Sequence, residues 1–471
     1  MRIQQYESRK QTDCVFALAD SNNDGANFFT VIVGENGVGK SRLLRDIFDT
    51  VFRSVTRASL FDGLGVVEDS FGKVTLLRDP MNDFRWPPPH IIALSGVATD
   101  KFPNKRSLAS RNGSKFDSNQ YLYCGPKSEN GMVSRNLSER QLCVEILRNM
   151  HHVDVRRKAI AAPFELFPQA KGAVFETVFD DRAGRSEPKN LSDFKKRIDE
   201  FFDSKFNSRI SQAGSDPTLW DELDQLRDNP ELLQICFQIL RNKAEFTWQF
   251  SNAGELDRRF SDIERLAFRL MVSARLVRVQ GALLMPKDEK LLFENLSSGQ
   301  WQVFSSIMLV AFAVQDDALL LVDEPENSLH PAWQQMYLPS LSRAMASVHG
   351  VHTIVATHSP LVAASVHPDV GSVCAVKRTA AGHLHAGLLE RTTFGWSSDD
   401  ILQEVFGLAS SRSVDFRRDL DDALKLIGKG DVSNKKLRAI LTRLNSATAT
   451  LPEMDTIREV VATMNALAAE Q

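Results

Sequence analysis

A glycine-rich turn near the start of the chain constrains the fold more than any other feature. The stretch FFTVIVGENGVGKSRLL places an apolar run before this turn and apolar residues at helical spacing after it. The turn itself has the pattern Gly34-x-x-x-x-Gly39-Lys40-Ser41. Strand, glycine turn and helix in this order are typical of a phosphate-binding loop in an α/β protein. The simpler alternative is a glycine turn that only begins a helix.

The residues of this turn have the chemistry that a nucleoside triphosphate requires. Glycines let backbone N–H groups turn inward around phosphate oxygens, and the following helix adds its positive amino-terminal end. We expect Lys40 to reach the β- and γ-phosphates of ATP and the Ser41 hydroxyl to coordinate Mg²⁺. The predicted phosphate-binding residues are Gly34, Asn36, Gly37, Gly39, Lys40, Ser41 and Arg42.

A second group of candidate residues follows an apolar run near residue 320. Residues 318–322 are all apolar and are followed by Asp323 and Glu324. A continuous apolar run that ends in acids fits a parallel strand covered on both faces, whose carboxyl end opens onto a ligand crevice. We predict that Asp323 holds Mg²⁺ and that Glu324 accepts a proton from the attacking water. The alternative is an acidic strand end that caps the next helix.

A histidine follows another apolar run further along the chain. The stretch HTIVATHSP predicts a buried strand at residues 353–356, with His358 just beyond its carboxyl end. A histidine at the edge of a neighbouring strand can hydrogen-bond a γ-phosphate and so report its presence. We therefore predict that His358 is a sensor of the γ-phosphate, against the alternative of a packed or solvated side chain.

The turn NLSSGQWQ at residues 295–302 would be a second anion site. Ser297, Ser298 and Gly299 precede an apolar segment at helical spacing, so the turn lies at a helix amino terminus. One ATP does not need two complete anion cradles from the same subunit. We therefore expect this turn to bind nucleotide that a partner subunit holds.

Four segments together resemble a known superfamily. Residues 34–41, residues 296–300, LLLVDEPE and VATHSP resemble, in this order, the Walker A, signature, Walker B and switch-histidine elements of ABC ATPases. The resemblance implies an α/β fold, an ABC-type P-loop ATPase head with a mixed sheet flanked by helices. It also implies that two heads meet around ATP as a homodimer or higher homo-oligomer. Ser297 and Gly299 would then contact the γ-phosphate bound by the partner.

The sequence around these motifs is similar to one branch of the superfamily. The patterns DEPExxLHP, SSGQ and ATHSPLV resemble RecF-like and OLD-like (overcoming lysogenisation defect) AAA-type ATPases. That group includes ATPase subunits of bacterial anti-phage systems of the Septu, retron-associated and PARIS types. Asp399 and Asp400 are adjacent, unlike the Asp-x-Asp of the Toprim nuclease domain in OLD proteins. The resemblance therefore implies an ATPase without a Toprim domain that controls a separate nuclease or toxin subunit.

Two other functions remain open at this point. One is a RecF-like DNA-maintenance ATPase that clamps DNA, and the other is a nucleotide-locked scaffold with little turnover. Contacts to nucleic acid would use two basic clusters, which solvated surface would also explain. The clusters are Lys101, Lys105, Arg106, Arg111 and Lys115, and Arg156, Arg157 and Lys158.

Three minor assignments are weaker because the expected motif is incomplete. No clear glutamine follows IIALS, so Ser95 or a nearby residue is a candidate to complete the Mg²⁺ shell. Tyr6 and Phe16 are candidates to stack on adenine. His383 and His385 suggest a metal pair, although alternation along a strand explains their spacing better.

The spacing of the motifs divides the chain into four segments. Residues 1–130 and 276–390 would form the two halves of the ATPase head, and residues 391–471 a helical tail. Residues 131–275 would be a mainly helical insertion, and no heptad pattern continues long enough for a coiled coil. Five scattered cysteines argue against a disulfide framework or a zinc site. Without an apolar leader or a membrane-spanning run, we expect a cytoplasmic protein that does not contact membranes.

Overall fold

The computed structural model describes most of the chain, with gaps. The described residues are 2–8, 12–15, 26–56, 66–68, 72–77, 90–103, 120–126, 135–179, 187–200, 226, 229–274, 276–378, 384–389, 392–408, 410–431 and 435–469. Several residues singled out in the sequence lie outside them: Phe16, Lys105, Arg106, Arg111, Lys115 and His383. The chain forms two compact units, Met1–Trp396 and Ser397–Gln471.

Fifteen strands are described. They are β1 (Arg2–Ser8), β2 (Thr12–Val15), β3 (Phe28–Val33), β4 (Val66–Glu68), β5 (Gly72–Leu77), β6 (Ile91–Ser95), β7 (Tyr121–Cys124), β8 (Gly172–Phe179), β9 (Trp248–Ser251), β10 (Val277–Leu284), β11 (Lys290–Leu292), β12 (Leu319–Asp323), β13 (His352–Ala356), β14 (Gly371–Arg378) and β15 (Leu384–Leu388).

The helices of the first unit lie between these strands, and those of the second unit follow them. They are α1 (Lys40–Thr56), α2 (Arg135–Asn149), α3 (Val153–Ala161), α4 (Pro230–Arg241), α5 (Asp262–Ser273), α6 (Ser298–Ala313), α7 (Pro331–Ala344), α8 (Pro360–Ala364), α9 (Ser398–Glu404), α10 (Val414–Gly428), α11 (Lys435–Thr448) and α12 (Ile457–Ala469). Residues 191–200 are also helical. None of the helices in the described part of the chain is both long and apolar enough to cross a bilayer.

The first unit is built on a large mixed sheet. Its strand order is β4-β5-β1-β2-β15-β14-β3-β13-β12-β6-β7. The strands from β14 to β7 in this order all run parallel to their neighbours. Antiparallel pairs, with one parallel pair between β15 and β2, extend the sheet on the other side. The predicted α/β class with a mixed sheet flanked by helices is therefore confirmed.

The central strands are buried along their whole length and are mostly apolar because helices cover them. Every residue of β3, β12 and β13 is buried. Helix α1 contributes Leu44, Ile47 and Phe48 to a core that also contains residues of β12 and β13. Burial on both faces explains why these strands have no polar alternation. The loops after β3, β12 and β13 begin where these buried strands end.

The segment between β7 and α6 contains more than helices. Two strands, β8 and β9, join β10 and β11 in a separate antiparallel sheet with the order β11-β10-β8-β9. The rings of Phe175 and Trp248 stack across β8 and β9, with centroids 5.2 Å apart and planes 3° from parallel. The stretch interpreted from the sequence as a mainly helical insertion thus holds a sheet with an aromatic core.

Two arginines of this segment hold the ends of α6. Arg135 donates to the backbone oxygens of Leu296 (2.9 Å) and Glu294 (3.1 Å), just before the helix begins. Arg156 donates to the backbone oxygens at the other end, at 2.6 Å to Phe312 and 2.7 Å to Val314. The Arg156 guanidinium, which belongs to the second basic cluster of the sequence, therefore caps a helix carboxyl terminus.

The second unit is helical, as the sequence predicted for the C-terminal region. Helices α10, α11 and α12 bury a core of their own, which includes Leu437, Ile440, Leu444 and Met464. A pair of hydrogen bonds joins the Arg443 guanidinium to the Asp419 carboxylate, at 2.7 and 2.8 Å. Each of these helices has an apolar side, and the three apolar sides pack against one another.

Candidate functional site

Three neighbouring strands bring the predicted site residues together. The phosphate loop, residues 34–41, leaves the carboxyl end of β3, Asp323 ends β12, and His358 follows β13. In the sheet β13 lies between β3 and β12, and Asp323 is opposite Ala356. Because the strands are parallel, their three loops emerge at one edge of the sheet.

The phosphate loop depends on glycine at two positions. Gly37 and Gly39 have φ angles of 74° and 116°, which side chains disfavour. A Cβ at Gly34 would lie 2.7 Å from the backbone oxygen of Val376, so the loop must also pass close to β14. Asn36, Gly37 and Arg42 are exposed around this loop.

Lys40 lies at the centre of the site. Its side chain is only 4% exposed, and Nζ donates to the backbone oxygens of Gly34 at 2.8 Å and Glu35 at 3.2 Å. Nζ also lies 3.1 Å from Nδ1 of His358. Burial lowers the pKa of Lys40 to about 8, while the nearby acids Glu324, Glu326 and Asp323 act to raise it. The ammonium is therefore mostly charged at neutral pH and is already turned into the loop.

The hydrogen bond from Lys40 fixes the tautomer of His358. An ammonium can only donate, so Nδ1 accepts and the ring proton is on Nε2. Nε2 lies 3.6 Å from Oε1 of Glu324. Burial and the neighbouring Lys40 lower the pKa of His358 to about 4. At neutral pH His358 is thus an uncharged N–H donor facing the side of the site where Glu324 lies.

Asp323 and Ser41 form the part of the site that would hold a metal. The Ser41 hydroxyl donates to Oδ1 of Asp323 at 3.0 Å. Asp323 is 1% exposed, and its Oδ2 is buried with no hydrogen-bond partner. Burial raises the pKa of Asp323 to about 7. A buried carboxylate oxygen without a partner, next to a serine hydroxyl, is a donor set that fits Mg²⁺.

The surroundings of Asp323 fit Mg²⁺ better than a metal ion whose ligands all come from protein side chains. No group of three or more His, Cys, Asp or Glu that could enclose an ion occurs among the residues that the structure describes. Mg²⁺ usually takes one or two protein oxygens and completes its shell with waters and substrate phosphates. Ser41 and Asp323 are such a partial set.

Glu324 leaves the strand in an unusual backbone conformation. Its φ is 47°, a value that non-glycine residues rarely adopt and that costs roughly 1–3 kcal/mol. The chain passes close to Gly96 here, since a Cβ at Gly96 would lie 2.1 Å from the backbone oxygen of Glu324. The Glu324 side chain is 31% exposed, in contrast to buried Asp323. Water therefore reaches Glu324 more easily than its neighbour.

Glu326 also belongs to the site, although the sequence analysis gave it no role. Its Oε1 accepts a hydrogen bond from the backbone N–H of His358. Its carboxylate is close enough to Lys40 to act on the pKa of the ammonium. The second glutamate of DEPE was the only sign of this residue in the sequence. Its contact with His358 could not be predicted, because it depends on β12 and β13 being neighbours in the sheet.

The turn at Ser297, Ser298 and Gly299, here called the signature turn, begins α6. The Ser297 hydroxyl accepts from the backbone N–H of Gln300 at 3.2 Å, and the Gln300 side chain accepts from the Ser297 N–H at 2.8 Å. This capping box leaves Ser297 and Ser298 exposed. A Cβ at Gly299 would lie 2.1 Å from the backbone oxygen of Ser328, so only glycine fits there.

Two minor assignments are not supported by the structure. Tyr6 is fully buried in the core beside α1, so the prediction that it stacks on adenine is wrong. The Ser95 hydroxyl donates to the backbone oxygen of Val97 at 2.9 Å and accepts from its N–H at 3.1 Å. Ser95 is therefore turned into its own loop. His385 lies exposed on β15, apart from any described metal site.

The fold and the site together define an α/β P-loop protein whose candidate site lies at the carboxyl edge of a parallel sheet. The phosphate loop, the Ser41–Asp323 pair and His358 lie on adjacent parallel strands, which is the arrangement that phosphoryl transfer from a nucleotide needs.

Comparison with protein families agrees with this class. Residues 154–364 match the family described as "AAA domain, putative AbiEii toxin, Type IV TA system". The match contains the signature turn, Asp323, Glu324 and His358, and begins after the phosphate loop. A curated protein, Protein ea59 of Escherichia phage lambda, is 31% identical over 134 residues. These are 27% of this chain and 25% of that protein, so the chain spans about a quarter of the relative's length.

Solved structures that are similar to this chain include two Smc head domains. One is the Smc head domain with an extended coiled coil bound to the C-terminal domain of ScpA, derived from Pyrococcus furiosus, with 12% identity and a TM-score of 0.32. It covers 82% of this chain and 96% of that chain. Another, the SmcHead bound to the C-winged helix domain of ScpA, has 10% identity and a TM-score of 0.33, covering 83% and 98%.

Proposed function

We propose that this protein binds and hydrolyses ATP between two copies of its head and thereby controls a nuclease or toxin subunit in bacterial anti-phage defence. The observation that carries the ATPase part is the convergence of Lys40, Ser41, Asp323, Glu324 and His358 at one edge of the sheet. Each of these side chains has the chemistry and the exposure that its role requires.

The triphosphate of ATP is the substrate that the phosphate loop fits. Lys40 exchanges its bonds to the oxygens of Gly34 and Glu35 for phosphate oxygens, which keeps its charge compensated. Ser41 and Asp323 would hold Mg²⁺, which would neutralise charge on the phosphates when bound. The proton of water passes to Glu324, the exposed carboxylate, while the Nε2–H of His358 is a donor for the γ-phosphate.

The signature turn supports assembly of the complete site from two subunits. Ser297 and Ser298 are exposed at the amino terminus of α6, a 16-residue helix whose first N–H groups favour anions. The capping box holds the turn in shape without a ligand. In the proposed homodimer, each turn binds the γ-phosphate of the ATP that the other subunit holds.

The effector part of the proposal rests on resemblance. The description of the matched family mentions a putative AbiEii toxin and a Type IV TA system. The motif patterns resemble those of ATPases from anti-phage systems. The basic cluster at residues 156–158 gives little support to a DNA-clamping alternative, because Arg156 caps α6 and Arg157 pairs with Glu255. We therefore favour a separate effector subunit over direct action on DNA.

Two variants test the ATPase. Lys40→Ala should lose ATP binding in calorimetry, because the buried ammonium is the only cation that contacts the loop oxygens of Gly34 and Glu35 among the described residues. Glu324→Gln should bind ATP and lose turnover by about 100-fold or more, since the amide cannot accept the proton. Turnover of Glu324→Gln at the parental rate would refute the assignment of the base.

The same variants test control of an effector. The chain would be purified together with the products of its neighbouring genes, and the mass of the complex measured. We expect the nuclease or toxin activity of that complex to differ between the parental chain and Lys40→Ala. A complex whose activity is the same with both, at equal subunit content, would contradict control by nucleotide.

A further inference from the structure

The carboxylate of Glu326 connects two loops of the site. Glu326 follows β12, and the loop it contacts, Thr357, His358 and Ser359, follows β13 and is here called the switch loop. Oε1 of Glu326 accepts a hydrogen bond from the His358 backbone N–H. One side-chain oxygen from the loop after β12 therefore holds the backbone of the switch loop.

The rest of the switch loop is also anchored. The Thr357 hydroxyl accepts from the Ser359 N–H at 2.9 Å, and the Ser359 hydroxyl donates to the Gln334 side chain at 2.7 Å. Ser359 also caps α8 by accepting from the N–H groups of Leu361 and Val362. His358 is the residue of the loop whose side chain faces Lys40 and Glu324. Of the described contacts, the bond from Glu326 is the one that fixes the His358 backbone.

Glu326 is badly placed to accept a proton from water itself. Its Oε2 is buried without a hydrogen-bond partner, and Oε1 is occupied by the His358 N–H. Burial is the main cause that raises the pKa of Glu326, which means that the charged form is disfavoured there. Glu324, in contrast, is partly exposed and lies beside the imidazole. Glu326 therefore acts in the site through the position of its hydrogen-bonding oxygen, which depends on the length of the side chain, and not through its negative charge.

We propose that Glu326 is a positioning residue that sets the place of His358 relative to Lys40 and Glu324 through the reach of its side-chain oxygen, and not through its charge. The inference rests on the proposed ATPase function. It assigns to the second glutamate of DEPE a task distinct from that of Glu324: it joins the loop after β12 to the loop after β13.

Two substitutions separate reach from charge. Glu326→Gln keeps an oxygen at the same distance along the side chain and removes the charge. Glu326→Asp keeps the charge and is one methylene shorter, so it cannot reach the His358 N–H without movement of the backbone. We expect Glu326→Gln to keep most of kcat, and Glu326→Asp to lose about 10- to 100-fold, as for small misplacements of a reacting group. The Kd for ATP should stay within about threefold in both, because Lys40 and the phosphate loop bind the triphosphate.

The reverse ranking, with Glu326→Asp more active than Glu326→Gln, would overturn the proposal, and so would equal loss in both. Glu326→Ala removes the acceptor altogether, and it should lose kcat as Glu326→Asp does. If Glu326→Asp and Glu326→Ala both fail to fold, loss of kcat in folded Glu326→Gln would still refute a role through reach.

Hydrogen exchange of the His358 amide gives a readout that does not depend on turnover. We expect faster exchange of the peptide containing residues 357–359 in Glu326→Asp, and parental exchange in Glu326→Gln, with the rest of the chain unchanged. Unaltered exchange in Glu326→Asp would contradict the proposal. A parental protein that never hydrolyses ATP would refute the proposed function, while the exchange measurement would still decide the role of Glu326.

Discussion

Charge in the site is buried unevenly, with Asp323 less well compensated than Lys40. Lys40 has several acids and backbone oxygens around it, whereas one oxygen of Asp323 has no partner. A pKa of about 7 for Asp323 in the folded protein lies well above its ordinary value of 3.8. The folded state thus holds the Asp323 proton more tightly than the unfolded state, and Mg²⁺ would relieve the cost of ionisation.

This difference predicts a pH dependence with a definite sign. The stabilisation from protonated Asp323 is complete below about pH 4 and is lost as the pH rises to about 7. Asp323→Asn cannot ionise, so without Mg²⁺ its free energy of unfolding should exceed that of the parental protein increasingly over this interval. The gap should level off at a few kcal/mol, given about 1.4 kcal/mol per pKa unit.

Thermal unfolding of both proteins in a chelator, at several values between about pH 5 and about pH 8, measures this gap. Mg²⁺ added at the upper end should stabilise the parental protein and leave Asp323→Asn unchanged. A difference in stability between the two proteins that does not change with pH would show that Asp323 is ionised at no cost in the folded protein.

Helix α6 is the element that connects the signature turn to the rest of the first unit. Arg135 holds the backbone before its first turn and Arg156 the backbone at its last. The indole N–H of Trp301, in the first turn, also donates to Ser138 of α2 at 2.9 Å. The segment between β7 and α6 therefore fixes the position of the signature turn from outside the central sheet.

Two neighbouring arginines provide a matched test of this connection. Arg156→Leu leaves the carbonyl groups of Phe312 and Val314 without their donor and should cost on the order of 1–3 kcal/mol of unfolding free energy. Arg157→Leu removes an exposed pair with Glu255 and should cost roughly 0–1 kcal/mol. Urea unfolding of both variants measures the two losses of unfolding free energy. Equal losses would mean that the hydrogen bonds of Arg156 stabilise the fold no more than the exposed ion pair of Arg157 does.

Elements with a strong local pattern could be predicted from the sequence, and contacts between distant segments could not. Strands β3, β12 and β13 are mostly apolar and lie next to site residues in the chain, so the sequence predicted them as strands. The burial of Tyr6 depends on the place of β1 in the sheet, and the cap made by Arg156 depends on where α3 meets α6. Neither relation leaves a periodic signal in the chain.

At the scale of the whole molecule, the proposed function depends on a second copy of the chain. The phosphate loop and the loops after β12 and β13 form one side of a site around a triphosphate. The signature turn is a second anion site with exposed serines and a preformed helix cap. In a symmetric dimer with the two heads face to face, each chain would give a phosphate loop to one site and a signature turn to the other.

Mixing two inactive variants tests this central claim most directly. Lys40→Ala removes the phosphate loop lysine, and Ser298→Glu puts a negative charge on the signature turn at a helix position where glutamate is well tolerated. If each site combines two chains, a mixed dimer has one site with both defects and one intact site. Random mixing should then restore about a quarter of the parental turnover, because about half of the dimers are mixed and each has one working site of two. Turnover that never exceeds the sum of the separate variants, in mixtures shown by mass to contain mixed dimers, would contradict a site built from two chains.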